Sequence, residues 1–518
     1  MFKQYGSIAL TFLGIIFALV MYQVYLTGGS YVYGLDDTYI HLAVAKNFSQ
    51  HGVWGISPFE YSATSSSPLF TIILSGLMFI FGVNKYLPLI ITTAFGLSYV
   101  WLIFSLFKRT RMTTGSSLIL ILFLFALPLP WLTLVGMEHL PHIFFITLFL
   151  HFIYRYFETN YSKYLTNAII AITIATGFRY ESLFMIAAFA PLFFFKKKYK
   201  QIILMGGVAS LPVIIIGVIS LLYGGAFLPN SLLIKTGLTT GKSITDWLVF
   251  NVGGIYPKSA WELVTMLIGI LPAVLIINIM LLVVAFRQGS SQLLKGMLLS
   301  SVILYFIHNL FGGYLQLRHE AYLVAVSLFN FVLVMREIPV TRFFRPKLFF
   351  VTTLVILIPL GVRVEQSFDL VGGAGKNIHD MHLTLRDFTW KNGFTKVSIV
   401  DIGVLGYYTD VHHLDPIGLG NNRISKLRRE GQLKRFSDYT DTLHHFNPNY
   451  IALYEPWYNW ELPESITKVG AIAIKNNVVA GSDTISLYAL QGNAESLRVK
   501  WQEFRDKNPE KADMLIVK

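Results

Sequence analysis

The sequence predicts a polytopic α-helical membrane protein with about eleven transmembrane helices, followed by an α/β domain outside the cytoplasm. Hydrophobic residues make up 54% of the 518 residues and charged residues only 14%, whereas soluble domains are roughly a quarter charged. Apolar stretches of spanning length recur along the first two-thirds of the chain. After Arg363 the pattern changes to short, strand-like segments with amphipathic stretches between them.

The apolar stretches define the candidate spans. They are 7–27, 86–107, 116–134, 141–157, 164–178, 182–195, 201–223, 263–286, 296–314, 320–335 and 348–364. The further apolar run 68–83 is short for a hydrocarbon core of roughly 30 Å. We therefore assign it to an interfacial or re-entrant helix on the outer side. The N-terminus then lies inside, the C-terminus lies outside, and the first span is retained rather than cleaved.

The distribution of positive charge agrees with this topology. The inner short loops carry sixteen Lys and Arg residues and the outer short loops carry eight, which is the bias expected of membrane proteins. From Gln366 onward the chain has 18 basic and 18 acidic residues, so the net charge of +13 lies entirely in the membrane half. The charge therefore indicates membrane lipids as surroundings and no nucleic-acid partner. The chain has no cysteine, so no disulfide supports an external domain.

These patterns divide the chain into two predicted domains. Residues 1–365 form a transmembrane domain with an external loop at 28–85, and residues 366–518 form a water-exposed α/β domain. In the second domain, "KVSIVDIGVLGYYTDVHHLDPIGLG" predicts a strand, a glycine-rich turn and another strand. The segments "NYIALYEP" and "TISLYAL" predict further strands.

Acidic residues of the membrane half gather on one side of the predicted membrane. Nine of its eleven acids fall outside under this topology. The adjacent Asp36 and Asp37 follow the first apolar run and open a predicted amphipathic helix. Other charged residues lie in the short motifs "GMEHLP", "GFRYES", "PNSLLIK" and "QLRHEAY". Each residue alone suits a helix cap or an interfacial anchor, but ionisable residues gathered at a membrane edge indicate a functional site.

Two adjacent carboxylates can divide the work of a proton transfer. One can act as a general base with a raised pKa, while the other orients the loop or holds an ion. We expect Asp36 to be the base because it lies nearer the first span, with Asp37 in the orienting role. His41, one helical turn further on, leaves a divalent cation open, although it can equally pack as the next turn. The pattern requires no other cofactor.

Cationic side chains on the same predicted edge suit a phosphate group. Arg179, Lys235 and Arg318, and also His319, offer hydrogen-bond donors for phosphate oxygens. Together with the carboxylates and the lipid boundary, they predict an enzyme that acts on a phosphate-bearing lipid with an activated head group. A carboxylate would deprotonate an acceptor hydroxyl, and the cations would stabilise the departing lipid phosphate.

A family resemblance runs from about residue 30 to about residue 420. The chain resembles polyprenyl-phosphate-dependent glycosyltransferases of the GT-C superfamily, most closely the arabinofuranosyltransferase-like branch. The segments that carry the resemblance are "LDDTYIHLAVAKNFSQHGVWGISP", "EYSATSSSPLFTIILSGLMFIFG", "GMEHL", "FRYES", "FLPNSLLIK" and "DIGVLGYYTDVHHLDPIGLG". It implies a GT-C core of many helices, a first external loop with juxtamembrane helices and an external C-terminal cap.

The resemblance also implies roles for particular residues. Asp36 and Asp37 match the acidic motif that supplies the catalytic carboxylate. Other matched motifs line the cavity for donor and acceptor. The candidate substrate-binding residues in the matched and neighbouring segments are His41, Glu60, Tyr61, Glu138, Arg179, Glu181, Asn230, Lys235, Arg318 and His319. The chain departs from the family at Arg179-Tyr180-Glu181, where the family has Arg-Pro-Glu.

The function implied is that of a membrane glycosyltransferase. It would move a sugar from a polyprenyl phosphate donor to an acceptor glycan, lipid or protein on the periplasmic side of a bacterial inner membrane. The alternative is a lipid or sugar transporter or flippase, which predicts inverted repeats and ionisable residues near the membrane centre. We find no repeat in the sequence. A non-catalytic scaffold whose external domain binds a partner is a third alternative.

Overall fold

The structure is a computed structural model of the chain. It describes residues 2–107, 124, 127–235, 270–311, 317–338, 346–458, 462–509 and 513–516. The chain divides into two compact units. The first comprises Met1–Phe17, Leu89–Ile214 and Ile244–Phe368, and the second comprises Ala18–Pro88, Ile215–Ser243 and Asp369–Lys518.

Helices dominate the described residues before the C-terminal sheet. In chain order they are α1 (Phe2–Leu26), α2 (Asp36–His51), α3 (Pro68–Phe81), α4 (Leu87–Phe107), α5 (Leu129–Leu134), α6 (His139–Thr159), α7 (Ser162–Phe178), α8 (Ser182–Phe195), α9 (Tyr199–Ala209), α10 (Leu211–Leu222), α11 (Asn230–Lys235), α12 (Ile270–Arg287), α13 (Gln292–Phe311), α14 (Ala321–Glu337) and α15 (Pro346–Ile378). A π-helix at His379–Leu383 and α16 (Thr384–Lys391) follow.

Five segments of the described chain are long and apolar enough to cross a membrane. They are Gly6–Leu26, Leu87–Phe107, His139–Thr159, Tyr199–Leu222 and Gln292–Phe311. Shorter apolar helices include Pro68–Phe81, Ser182–Phe195 and Ala273–Arg287. Parts of the predicted spans 116–134, 263–286 and 296–314 lie outside the described residues. The prediction of several apolar helices is confirmed, but the count of eleven spans is not.

Buried polar side chains join three helices of the first unit. Every residue of α14 from Ala321 to Met335 is buried. Asn330 on α14 donates hydrogen bonds to Asn278 on α12 and to Ser301 on α13, both at 2.8 Å. Asn278 donates in turn to Ser327 at 2.7 Å. A buried amide without partners is costly, so these bonds fix how the three helices pack.

The second unit contains a six-stranded sheet. Its strands are β1 (Lys396–Ile399), β2 (His412–Leu414), β3 (Tyr450–Leu453), β4 (Ile466–Ala473), β5 (Thr484–Leu490) and β6 (Asp513–Ile516). The spatial order is β2-β1-β3-β5-β4-β6. β1 pairs in parallel with both β2 and β3, and the remaining pairs are antiparallel. The predictions of a C-terminal α/β domain and of β1, β2, β3 and β5 are therefore confirmed.

The glycine-rich segment after β1 is a helix rather than the predicted turn. Residues Gly403–Tyr408 form α17, and the amphipathic helices α18 (Asn422–Arg429), α19 (Thr440–Phe446) and α20 (Ala494–Asp506) complete the unit. Parallel β1 and β2 need a crossover connection rather than a tight turn. The sequence pattern of small residues could not distinguish these alternatives.

The predicted boundary near residue 366 falls inside a helix. α15 continues without a break from Pro346 to Ile378. Glycines near its C-terminal end lie where the chain packs closely. A Cβ atom at Gly375 would lie 2.9 Å from the main-chain oxygen of Val32. Gly373 and Gly375 of "GGAG" therefore allow close packing within a continuous helix.

Candidate functional site

Asp36, the first residue of α2, is held by the main chain of another helix. Its carboxylate oxygens accept hydrogen bonds from the N–H groups of Gly403 and Val404, at 2.7 and 2.8 Å. Both donors belong to the first turn of α17. Asp36 is buried. A buried carboxylate that accepts two main-chain bonds is fixed in position, so Asp36 docks the start of α2 onto α17.

Glycine at position 403 is required for this contact. A Cβ atom there would lie 2.2 Å from the main-chain oxygen of Asp36 and 2.7 Å from the nitrogen of Ile40. Gly406, one turn later, also lies close to another segment, with a Cβ position 2.8 Å from the oxygen of Ile56. Real Cβ atoms do not approach other atoms so closely. The spacing of glycines in "DIGVLGYY" thus serves the packing of α17 against α2 and the loop that follows it.

Asp37 is more accessible than its neighbour. It is partly exposed, whereas Asp36 and Thr38 are buried. Successive residues on an α-helix point about 100° apart, so Asp37 faces a different direction from the contact with α17. The acidic pair, Asp36 and Asp37, therefore comprises one buried and one partly exposed carboxylate.

A second carboxylate, Asp401, lies near Asp36 and belongs to a buried hydrogen-bonded group. Its Oδ2 accepts a hydrogen bond from the Tyr454 hydroxyl at 2.7 Å and lies 3.1 Å from Nε2 of His382. The Tyr454 hydroxyl is also 3.3 Å from this nitrogen. His382 and Tyr454 are fully buried, and the Asp401 side chain is 24% exposed. We call Asp401, His382 and Tyr454 the Asp401 trio.

The electrostatics of this region favour proton exchange near neutral pH. Burial and the negative charge of Asp401 raise the pKa of Asp36 to about 7, although His382 and the two main-chain amides oppose this shift. Burial lowers the pKa of His382, but the hydrogen bond and the charge of Asp401 outweigh it and the net direction is upward. A carboxyl pKa near the working pH is typical of groups that take part in acid–base chemistry.

Sequence reasoning did not identify the Asp401 trio. Asp401 stands in the matched motif "DIGVLGYY" and directly follows a predicted strand, which is a recognisable position for functional carboxylates. His382 lies in a π-helix, and Tyr454 follows β3, 72 residues away in the sequence. No local pattern marks these two residues, because only the pairing of β1 with β3 brings Tyr454 to Asp401.

His41 packs against hydroxyl groups. Its Nδ1 lies 3.1 Å from Oγ1 of Thr71 and 3.3 Å from Oγ of Ser65, and the imidazole is buried. Among the residues that the structure describes, no three His, Asp or Glu side chains gather as a metal site. This packing corresponds to one of the two alternatives that the sequence leaves open for His41, and a divalent cation at the acidic pair stays a proposal.

Glu60, Tyr61 and Asn230 belong to a different polar cluster of the second unit. Glu60 accepts a hydrogen bond from Asn421 at 2.9 Å, and Asn230 donates to Asn422 at 2.9 Å. Asn422 donates to the main-chain oxygen of Tyr61 at 3.2 Å. These bonds join three separate segments of the chain at the start of α18. Their arrangement suits a structural connection as well as a binding surface.

Lys235 is the last residue of α11, and its side chain lies outside the described residues.

Tyr61 stacks on Tyr223, with ring centroids 5.1 Å apart. Tyr223 directly follows the apolar helix α10. Tyrosines at the end of an apolar helix are typical of a membrane interface.

In the first unit, Arg179 is buried between two glutamates. Its Nη1 donates to Glu138 at 2.8 Å, and its Nη2 donates to Glu181. Beside this group, Nε2 of His142 lies 2.9 Å from the hydroxyl of Ser182. Glu138 and Arg179 stand at the ends of helices, where the motifs "GMEHL" and "FRYES" place them. The two motifs therefore meet through an ion pair, as their shared edge predicts.

Arg318 and His319 lie in the same region. Nη1 of Arg318 is 2.8 Å from the sulfur of Met137. His319 stacks on His139, with ring centroids 5.9 Å apart, and His139 lies within electrostatic range of Arg179 and Arg318. Three of the four residues expected at a phosphate are thus near one another in the first unit. The fourth, Lys235, belongs to the second unit.

A further ion pair in this region was not expected from the sequence. Nη1 of Arg363 donates to Glu320 at 2.6 Å, and Nη2 donates to the main-chain oxygen of Leu317 at 2.7 Å. Both side chains are buried. The predicted topology assigned Arg363 and Glu320 only to the outer side. It could not show their pairing, because the two residues are 43 positions apart in the sequence.

Comparisons with protein-family models and with solved structures each gave a match. A model of a domain of unknown function, DUF8728, matches residues 372–488, a segment that includes the Asp401 trio. No curated protein matches the sequence. Among solved structures, the archaeal oligosaccharyltransferase AglB from Archaeoglobus fulgidus, in complex with an inhibitory peptide and a dolichol-phosphate, is similar over 87% of this chain and 70% of its own. The sequence identity is 12% and the TM-score is 0.46. A likeness of this degree assigns no activity to the chain.

Proposed function

We propose that the protein is a membrane glycosyltransferase that uses a polyprenyl phosphate sugar as donor. The observation that carries this proposal is the acidic pair, in which a buried, anchored carboxylate stands beside an accessible one directly after an apolar helix of spanning length. Such a pair suits proton abstraction next to a lipid-borne substrate. The motif resemblance to the GT-C superfamily, including its arabinofuranosyltransferase-like branch, points in the same direction.

We propose that Asp37 is the general base and that Asp36 positions it. This assignment exchanges the roles expected from the sequence. Asp36 is buried and held by two main-chain bonds, so it is less accessible to a substrate hydroxyl than its neighbour. Asp37 is partly exposed. Its carboxylate would take the proton of an acceptor hydroxyl, whose oxygen attacks the anomeric carbon of the sugar. The bond from that carbon to the phosphate oxygen breaks, and the lipid phosphate leaves with the electron pair.

For the first unit we propose a separate role, the binding of an anionic group such as a lipid phosphate. Arg179 is already offset by Glu138 and Glu181, so we assign it to holding the cluster together. Arg318 is buried in the same region, with its Nη1 2.8 Å from the sulfur of Met137. A guanidinium forms strong, charge-assisted hydrogen bonds with phosphate oxygens. We propose Arg318, with His319 beside it, as the donors to the phosphate.

The acceptor is proposed to be an envelope glycan, lipid or protein on the periplasmic side of a bacterial inner membrane. The domain division at residue 365, with residues 366–518 outside the cytoplasm, belongs to the same proposal. It is supported by the bias of positive charge toward the inner loops.

The experiment that tests this function compares sugar transfer with lipid movement. The purified full-length protein is reconstituted into vesicles with a panel of polyprenyl phosphate hexoses and pentoses and with extracted envelope glycan. Release of polyprenyl phosphate with transfer of labelled sugar is expected. Movement of the intact sugar lipid across the bilayer without its turnover would contradict the proposal and favour the transporter alternative. Asp441→Asn, a change at an exposed carboxylate of α19, is the matched control.

A further inference from the structure

The Asp401 trio lies where neighbouring parallel strands end. Asp401 follows β1 by two residues, and Tyr454 directly follows β3. β1 lies between β2 and β3, so the chain runs to one side of β1 first and then to the other. The carboxyl ends of strands at such a reversal are the usual place for functional groups in α/β sheets. In this unit, the start of α2 occupies that edge through the contact of Asp36 with Gly403.

We propose that the Asp401 trio positions the acidic pair, by holding the segment 401–404 in the conformation that presents two main-chain amides to Asp36. This inference rests on the proposed function, because it assigns the trio a role in the reaction of Asp37. The contacts form a continuous chain. His382 and Tyr454 contact the side chain of Asp401. Shortly after Asp401, Gly403 and Val404 donate main-chain hydrogen bonds to Asp36, which fixes the start of the helix that carries Asp37.

The backbone at Asp401 needs such support. Its φ is +52°, in the left-handed region that is unfavourable for residues other than glycine and is visited mainly by Asn and Asp. A backbone in this region persists where surrounding contacts over-determine it, and such residues cluster at functional sites. The hydrogen bonds from Tyr454 and His382 to one carboxylate oxygen are contacts of this kind.

The element that carries His382 is irregular as well. His382 lies in a π-helix between α15 and α16, and π-helical turns are rare and frequent at functional sites. Its Nδ1 is buried and has no hydrogen-bond partner in the described structure, so Nε2 alone connects the imidazole to Asp401. The π-helix thus turns a buried imidazole toward the strand ends at the cost of one unsatisfied nitrogen.

A matched pair of tyrosines allows a sharp test. Tyr454 and Tyr450 are both fully buried, and both are bonded through their hydroxyls at 2.7 Å, to Asp401 and to Thr389 respectively. Changing either to phenylalanine removes one buried hydroxyl group and keeps the ring. We compare Tyr454→Phe with Tyr450→Phe in the full-length protein, by hydrogen–deuterium exchange of the peptide covering 36–42.

We expect Tyr454→Phe to speed exchange in this peptide by on the order of tenfold, the equivalent of one buried hydrogen bond. Tyr450→Phe is expected to leave the peptide unchanged. In the vesicle assay, kcat should fall for Tyr454→Phe by a similar factor, with the donor KM unaltered. Asp401→Asn, which tolerates the left-handed backbone and keeps an accepting oxygen, should retain more turnover than Asp401→Ala.

Each outcome decides the inference. Equal exchange in both tyrosine variants overturns the connection between the trio and α2. Faster exchange with an unchanged kcat, in a preparation whose wild type transfers sugar, overturns the positioning role. If the wild type transfers no sugar, the proposed function fails, while the exchange comparison still decides whether the trio holds the start of α2.

Discussion

Each unit contains a cluster of largely buried charged side chains, and the two clusters offset their charges in different ways. Among the described residues, the cluster of the first unit contains three arginines and three glutamates, of which Glu181 alone is partly exposed: Arg179, Arg318, Arg363, Glu138, Glu181 and Glu320. In the second unit, Asp36 and Asp401 lie near one histidine, and within the part of the chain that the structure describes neither pairs with lysine or arginine. Main-chain amides and a tyrosine hydroxyl offset these carboxylates instead.

This difference separates two uses of a buried charge. Ion pairs between fixed opposite charges hold both partners in the charged state. A carboxylate that is buried beside a second negative charge has a raised pKa, as Asp36 does, and a carboxyl group with a pKa near 7 can exchange protons near neutral pH. We therefore associate the first cluster with packing and anion binding, and the second with acid–base chemistry.

The largest stability effect is expected in the first unit. Arg179→Ala leaves the buried Glu138 and the partly exposed Glu181 without their cation, and the loss of a buried ion-pair partner typically costs about 3–5 kcal/mol. The sequence alone indicated Arg179 only as a donor to phosphate oxygens. The two ion pairs now predict a large loss of thermal stability in detergent.

The control is Arg155→Ala, which removes a partly exposed ion pair with Glu158 and should cost about 1 kcal/mol or less. The triple variant Arg179→Met, Glu138→Gln, Glu181→Gln removes all three charges together and should recover most of the stability. Equal unfolding temperatures for Arg179→Ala and Arg155→Ala would contradict the view that this cluster serves packing.

A smaller effect is expected where α2 meets α17. Gly403→Ala inserts a methyl group 2.2 Å from the main chain of Asp36, and overpacking of this kind costs about 1–3 kcal/mol. Because the displaced segment carries Asp37, turnover should fall more than stability does. Gly492→Ala, at a glycine with open space around it, should change neither quantity. If Gly403→Ala kept the wild-type turnover, the contact between α2 and α17 would not be needed for the function of the acidic pair.

The smallest expected effect is a difference between the two units in how the stability of the protein depends on pH. The pKa of Asp36 is raised from its ordinary 3.8 to about 7, so its contribution to stability is full at low pH and is lost as the pH rises through about 7. The pKa of Glu181 is lowered, because Arg179 outweighs the effect of burial. Its contribution is therefore present at neutral pH and is lost as the pH falls.

Thermal unfolding across pH, with two variants, measures this difference. Asp401→Asn removes the charge that repels Asp36, so the loss of stability between about pH 4 and about pH 7 should become shallower. Glu181→Gln should instead flatten the loss at acid pH. Identical pH profiles for wild type and both variants would show that neither cluster controls stability through its ionisation.

The sequence predicts elements better than it predicts their contacts. Apolar stretches and alternating segments identified the apolar helices, the start of α2 at Asp36 and the strands β1, β2, β3 and β5. The strands β4 and β6 were missed. β6 is an edge strand of four residues and β4 contains a bulge near Gly470, so neither shows a long regular alternation.

The candidate site was predictable only in part, because the sequence shows local patterns but not contacts between distant segments. Adjacent carboxylates after an apolar run are a local pattern, and the sequence shows them. The anchoring of Asp36 depends on a segment 367 residues away, and the Asp401 trio depends on the order of the strands. The spacing of residues along a chain does not show such contacts, so the sequence could not show that Asp36 is buried and bonded to the main chain of α17.

The most direct test of the central claim is the turnover of Asp37→Asn, measured with the donor panel in reconstituted vesicles. If Asp37 is the general base, kcat of Asp37→Asn should fall by a factor on the order of 10²–10⁴. Its unfolding temperature should equal that of the wild type and of the control Asp441→Asn. Asp36→Asn should instead lower the unfolding temperature, since one of its main-chain donors would face an NH₂ group. An Asp37→Asn protein that transfers sugar at the wild-type rate would contradict the assignment of the base.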